Sequence, residues 1–434
     1  MATPRILLLL MLATGLLACQ PPRTEESADL TQASDTAVDE SSSNEIVLGH
    51  IDTIDSAVLE EERELWIYLP RSFTHDRENN PEAKYPVVYL LDGNGHFRSV
   101  AGMLYQLSTV NGNRVLPEMI MVGFPNTDRM RDLTPTHTDG TTGGGGAFLD
   151  FIETEAIPYI EANYPVTGYR TFIGHSLGGL MAIEALVERP ELFTNYVAID
   201  PSLWWDDQAI LRKAEAALNE MNFTGKNLFV SVANTMRPGM TYDRVRQETG
   251  DETRHIRSIL QFAEAAEADT RSGLNFAWRY YENDSHGSVP LISEYDALRQ
   301  LFDWYDPSRQ MLSYMIAETP DDAEGATEFI DRHWAMVSEQ FGYTVTPPLR
   351  FIDQVAVSMR FNDKPESALA VARMNLSNYP ASPVTHETMA EYFLWQGDEQ
   401  AARSHFQHAI DRGAEIDIDA RVAANAESDQ EKSD

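Results

Sequence analysis

Residues 171–180 read Thr171-Phe172-Ile173-Gly174-His175-Ser176-Leu177-Gly178-Gly179-Leu180. A short apolar run enters Gly-x-Ser-x-Gly and passes directly into a segment whose apolar residues recur at helical spacing as far as Arg189. Glycines at 174 and 178 allow a sharp, strained turn and leave room on either side of the serine. Ser176 Oγ is thereby expected at the carboxyl end of a strand, above a helix N-terminus that favours developing negative charge. The five-residue motif alone is weak evidence, because glycine and serine are common residues. A strand before it and a helix after it make it specific, and Ser176 is read as a nucleophile.

Other apolar runs extend the pattern in both directions. Leu65–Leu69, Tyr85–Leu91, Met119–Gly123, Tyr196–Ile199, Leu228–Val232 and Phe276–Tyr281 are strand-like. The second is continuously apolar, as in a strand buried on both faces. Helical patterns at Phe148–Asn163, Leu177–Arg189, Gln208–Met221 and Thr253–Arg271 alternate with them. Strand–helix alternation predicts an α/β fold with a mainly parallel sheet covered on both sides. Beyond Pro307 the strand signal stops and residues 308–413 read as helix. There Phe361 and Trp395, Ala368 and Ala402, and Leu376 and Ile410 are each 34 residues apart. That period resembles tetratricopeptide helix pairs; two units are too few to stand alone and are expected to dock on the preceding body.

A serine hydroxyl needs a base at neutral pH. After a strand–Gly-x-Ser-x-Gly–helix elbow the base is expected in the loop following the last strand. That loop is Glu282-Asn283-Asp284-Ser285-His286-Gly287, so His286 is the expected base. The orienting acid normally follows the preceding strand, but Ala233-Asn234-Thr235-Met236 contains no carboxylate. Asp243 is the first choice; Asp251 has a sufficient role as a helix cap. Orientation of His286 by a neutral group such as Asn234, or by no dedicated acid, stays open. An oxyanion needs two backbone N–H donors. One is expected from Leu177, the other from the Gly93–Asn94 region after the third strand. Trp204 and Trp205 are candidates for the acyl pocket or for packing. Arg129 and Arg131 are read first as ion-pair partners, with contact to an anionic substrate group as the alternative. No metal-ligand cluster of convincing spacing is present, and no cofactor is expected.

The segments Tyr85–Asn94, Asn126–Pro135, the elbow, Asp200-Pro-Ser-Leu-Trp-Trp205 and Ser285–Ser288 together resemble the esterase D and enterochelin-esterase-like branch of the α/β hydrolases. The resemblance covers about residues 45–305 and implies the α/β-hydrolase fold and ester hydrolysis, with siderophore trilactones cleaved by some members. Family members often carry a glutamate after the seventh strand, which this chain lacks; some siderophore esterases are described as working with a Ser–His pair. The expected activity is therefore a serine carboxylic-ester hydrolase acting on a small-molecule or lipid-like ester. Two rivals stay open: acyl transfer to an alcohol from the same acyl-enzyme, and a surface binding protein that uses the helical repeats.

The 434-residue chain has 43% hydrophobic and 23% charged residues and a formal net charge of −35. That balance argues against nucleic acid or an anionic membrane surface as partner. Cys19 is the sole cysteine. It follows the apolar run Ile6–Leu12 and Leu16-Leu17-Ala18, which reads as a secretory signal and resembles a bacterial lipoprotein cleavage box. Lipidation at Cys19 is expected, with membrane attachment through that lipid only. Gln20 at the next position resembles the outer-membrane sorting pattern, so the expected location is the cell envelope, on the outer-membrane or periplasmic side. The expected organisation is a signal peptide over 1–18, a disordered acidic tether over 19–45, a catalytic domain over 46–307, a helical region over 308–420 and a disordered acidic tail over 421–434. A protein partner, where one is taken, is expected on the repeats.

Overall fold

The apolar runs become the centre of one eight-stranded sheet. The computed structural model describes residues 46–75 and 82–433, so the expected signal, Cys19 and the tether lie outside the described residues. The strands are β1 His50–Ser56, β2 Glu61–Tyr68, β3 Tyr85–Leu90, β4 Ile120–Gly123, β5 Val166–His175, β6 Asn195–Ile199, β7 Asn227–Ala233 and β8 Asn275–Tyr281. Their spatial order is β1-β2-β4-β3-β5-β6-β7-β8. β2 pairs antiparallel with both β1 and β4, and β3 through β8 run parallel. This is the α/β-hydrolase arrangement.

β3, β4 and β6 are buried along their whole length, which explains their unbroken apolar composition. Side chains of a strand alternate between faces, and β3 supplies two cores accordingly. Tyr85, Val87 and Tyr89 enter one, while Val88 and Leu90 enter the other. The helices that complete the second core begin with α1 (Gly93–Ser108). The first core is covered by α2 (Leu177–Glu188), α3 (Trp205–Glu220), α4 (Arg254–Ala268) and the helical run 145–163. The second is completed by α5 (Val289–Leu301) and by helices of the C-terminal region.

That region contains α6 (Ala323–Phe341), α7 (Leu349–Phe361), α8 (Pro365–Asn378), α9 (Pro383–Trp395), α10 (Glu399–Ile410) and α11 (Ile418–Ser433). Residues 48–434 form one compact unit. The second core runs without a break from Tyr169 and Phe302 into Ile330, Trp334 and Phe341. The Tyr169 and Phe341 rings lie 5.3 Å apart, and the Tyr343 hydroxyl donates to Lys84 O at 2.7 Å. The helices therefore cover part of the sheet rather than hanging from it.

Three local features differ from expectation. β1 carries no strand signal, because HIDTIDS has only two apolar residues, Ile51 and Ile54, set three apart, and is mostly exposed. α1 forms despite Gly93, Gly95 and Gly102, because Phe97, Val100, Ala101, Leu104 and Leu107 make a continuous buried stripe. Helix α11 occupies much of the segment expected to be a disordered tail. Arg421 pairs there with Glu387 and Glu391 of α9, and Asn425 Nδ2 donates to Leu394 O.

Lys364 is the deepest cation among the described residues of the helical region, 1% exposed. Its ammonium donates to Thr319 O, Thr319 Oγ1 and Pro320 O at 2.7, 2.8 and 2.9 Å. These bonds pin the 319–320 loop to the start of α8. Lys364→Met is expected to lower stability by about 2 kcal/mol, read as a lower urea midpoint with ester turnover unchanged at 25 °C.

Candidate active site

The elbow forms as the motif requires. Ser176 sits between β5 and α2 at φ 60, ψ −113, a conformation that costs a non-glycine residue roughly 1–3 kcal/mol. Three bonds hold it there. Its N–H donates to Ile199 O at 2.9 Å, and its carbonyl accepts from the N–H groups of Leu180 and Ser202 at 3.0 Å each. A Cβ on Gly174 would lie 2.2 Å from Gly178 O, and one on Gly178 would lie 3.2 Å from Asp92 Oδ2. Gly174→Ala must therefore displace backbone. It is expected to cost about 3 kcal/mol or more, visible as a lower melting temperature together with lost activity.

Ser176 Oγ lies 3.1 Å from His286 Nε2, with His286 in the loop after β8. His286 Nδ1 is 2.6 Å from Asp200 Oδ2. Asp200 follows β6 directly, at φ 41 and with no solvent exposure. Its N–H donates to Ser231 O on β7 at 3.0 Å, and its Oδ1 accepts from Ala233 N–H at 2.8 Å. His255 Nε2, in the first turn of α4, is 2.9 Å from the same Oδ2. Burial pushes the Asp200 carboxyl up, yet the bonds from His255, His286 and Ala233 outweigh it and hold the group well below the usual carboxylate range.

The carboxylate on His286 is thus Asp200, not Asp243. Asp243 lies exposed in the four-residue helix Tyr242–Val245. Asn234, the neutral alternative, holds the loop instead of the imidazole. Its N–H donates to Asp284 O at 2.8 Å and its Nδ2 to Glu282 O at 2.9 Å. Asp200 had a signal in the sequence: an acid directly after the buried run Tyr196–Ile199, inside the quoted Asp200–Trp205 segment.

The expected oxyanion donors are divided by their partners. Leu177 N–H is at the first position of α2, where no intrahelical acceptor exists. Gly93 N–H, in contrast, donates to Phe124 O at 2.8 Å and is already used. Gly95 and His96 N–H both donate to Asp92 O, whereas Asn94 N–H has no backbone acceptor. The loop is braced from below by Asp92, at φ 52. Its carboxylate accepts from Asn126 Nδ2 and Arg129 Nε at 2.6 Å each. Burial pushes that carboxyl up, and the Arg129 guanidinium more than offsets it, so Asp92 lies below its ordinary value. Arg131 pairs with Glu61 and Asp132. Both arginines are structural ion-pair partners.

Ser202 is a residue the sequence did not single out. Its Oγ lies 3.2 Å from Ser176 Oγ, placing the 200–205 loop beside that serine. Trp204 on that loop is 39% exposed, whereas Trp205 packs against the first core and donates Nε1 to Thr136 Oγ1 at 3.1 Å. His175 lies under the site, its ring 4.6 Å from that of His286. Burial and the neighbouring His286 push its imidazole down to about 4, so it is neutral at pH 7.

Among the described residues Asp200, His255 and His286 also form a group with metal-capable atoms within 4.8 Å of one another. Separations of 2.6 and 2.9 Å suit hydrogen bonds. Ligand atoms about 2.0 Å from a tetrahedral ion would stand about 3.3 Å apart.

Comparison with known proteins shows the family. The Esterase family matches residues 56–290, more than half of the chain. Curated relatives include the siderophore triacetylfusarinine C esterase of Aspergillus fumigatus, 33% identical over 30% of this chain and 49% of its own length. The ferri-bacillibactin esterase BesA of Bacillus subtilis is 35% identical over 31% of this chain and 54% of its own length. The chain spans about half the length of these curated relatives. Among solved structures, an IroE-like serine hydrolase from Shewanella oneidensis is 32% identical with a TM-score of 0.62, covering 76% of this chain and 99% of its own. An uncharacterised Capnocytophaga ochracea protein shares the fold at 20% identity and a TM-score of 0.57, over 87% of this chain and 99% of its own. The protein is a member of the Esterase family.

Proposed function

We propose that the protein is a serine carboxylic-ester hydrolase that works through an acyl-enzyme on Ser176. The observation that carries this reading is the unbroken chain Ser176 Oγ–His286 Nε2, His286 Nδ1–Asp200 Oδ2, at 3.1 and 2.6 Å, on a strained elbow. Ser176 Oγ attacks the ester carbonyl as its proton passes to His286 Nε2. The oxyanion forms opposite Leu177 N–H and Asn94 N–H, and Asp200 holds the imidazolium in place. His286 then protonates the departing alkoxide. Water, deprotonated by the same nitrogen, releases the acid and restores the serine.

Relatives whose printed names are siderophore esterases support a small-molecule ester, with siderophore esters as the first substrates to try. Trp204 is proposed to line the acyl side of the site. Lipidation at Cys19 and a cell-envelope location are proposed from the sequence alone. Tetratricopeptide-like pairing is supported by the helix starts: α7 and α9 begin at Leu349 and Pro383, α8 and α10 at Pro365 and Glu399. Each pair is 34 residues apart, the period of that repeat.

The test is covalent. A fluorophosphonate probe is expected to add one adduct per chain, mapped to Ser176 by peptide mass spectrometry. Adduct elsewhere, or none on the folded protein, overturns the reading.

A further inference from the structure

Asp200 Oδ2 is shared by two imidazoles. His286 Nδ1 is 2.6 Å away and His255 Nε2 is 2.9 Å away. The two rings meet edge to face, at 5.1 Å and 88°. One donor leaves a carboxylate free to rotate about its Cβ–Cγ bond, so that the acceptor can move relative to His286. Asp200 is instead held from three sides, by Ala233 N–H of β7, the loop after β8 and the first turn of α4.

The position of His255 is itself rigid. Ile256, Ile259 and Leu260 anchor α4 in the first core, and Gln208 Nε2 of α3 donates to Ser258 Oγ at 2.8 Å. His255 Nδ1 is buried without a hydrogen-bond partner. Among the described residues its sole polar partner is therefore Asp200, and the pairing tautomer carries its proton on Nε2. The orphan is understandable where Nε2 is committed to a carboxylate that must not move.

We infer that His255 is a positioning residue of the esterase site, fixing Asp200 so that the carboxylate keeps its bond to His286 while the imidazole gains and loses a proton. The inference rests on the proposed acyl-enzyme reading. His255 has no contact with Ser176 among the described residues, so its removal slows the chemical steps and leaves substrate binding alone.

The experiment compares wild type, His255→Phe, His255→Gln and His255→Asn in full-length protein, with Ser176→Ala in parallel. A p-nitrophenyl ester gives kcat and KM, fluorophosphonate labelling gives the rate at Ser176, and thermal melting reports folding. His255→Phe is expected to lower kcat and labelling rate by about 10- to 100-fold, as loss of a supporting partner does in other sites, with KM within about twofold. Gln carries an amide N–H near the place of Nε2 and is expected to recover kcat to within about threefold of wild type, because it restores the donor. Asn is too short to reach Asp200 and is expected to behave as Phe. Wild-type kcat in the Phe variant, or equal losses in Gln and Phe with normal melting, overturns the role of His255 alone. Absence of Ser176-dependent turnover and labelling in wild type overturns the acyl-enzyme reading and this inference with it.

Discussion

Ser176→Ala is expected to lower kcat for a p-nitrophenyl ester by about 10³-fold or more without loss of the fold. The serine reaches its backbone conformation through bonds from Ile199, Leu180 and Ser202 that involve only its own main chain. Alanine accepts the same bonds and the same φ of 60, so the elbow persists. What disappears is the oxygen 3.1 Å from His286 Nε2. Leu177 and Asn94 N–H groups would still polarise a bound ester, so catalysis above water is expected to survive at a low level. The check is steady-state kinetics together with a thermal melt. A variant that melts like wild type and retains a tenth of the activity or more would remove Ser176 as nucleophile.

Asp200→Asn is expected to cost about 10³- to 10⁴-fold in kcat, the scale of losing the orienting carboxylate of a triad. Here Oδ2 receives two N–H donors and Oδ1 a third, Ala233 N–H. An amide cannot satisfy that set. If its oxygen keeps the Ala233 bond, its NH₂ faces two imidazoles, and His286 is driven into the tautomer with a proton on Nε2. That nitrogen then cannot accept the proton of Ser176. Asp243→Ala is the matched control, since Asp243 is exposed and the His286 imidazole is bonded to Asp200 instead; activity within about twofold of wild type is expected, as for a surface substitution. A large loss in Asp243→Ala beside normal activity in Asp200→Asn would reverse the assignment of the acid.

The physical reason that Asp200 escaped a linear reading is its place in the sheet. Residues 233–236 and 200–202 are far apart in the chain, but β6 and β7 are adjacent and parallel, with Ile199 opposite Ser231. Their carboxyl ends therefore open on one crevice, and an acid on either strand end can reach the loop after β8. Which strand supplies it depends on side-chain reach across the crevice, and no local pattern encodes that. Gly93 failed for a related reason. The partner of its N–H, Phe124 O, comes from another strand end. The same holds for the loop at 126–135, whose arginines were readable as charges but whose partners Asp92, Glu61 and Asp132 were not.

The sequence determines structure directly wherever the physics is local. Unbroken apolar runs declared the buried strands, because backbone covered on both faces tolerates little else. The glycines at 174 and 178 declared the elbow, because only they fit a turn in which one residue's Cβ would strike the other's carbonyl. The 34-residue spacing in the sequence recurs in the helix starts, Leu349 and Pro383, Pro365 and Glu399. The folded chain alone decided what depends on convergence: that Asp200 carries both His286 and His255, and that Asn94 rather than Gly93 has an N–H to spare. Hydrogen bonds between side chains on different strand ends form at distances of about 3 Å. Only the packing of a whole sheet brings such groups that close.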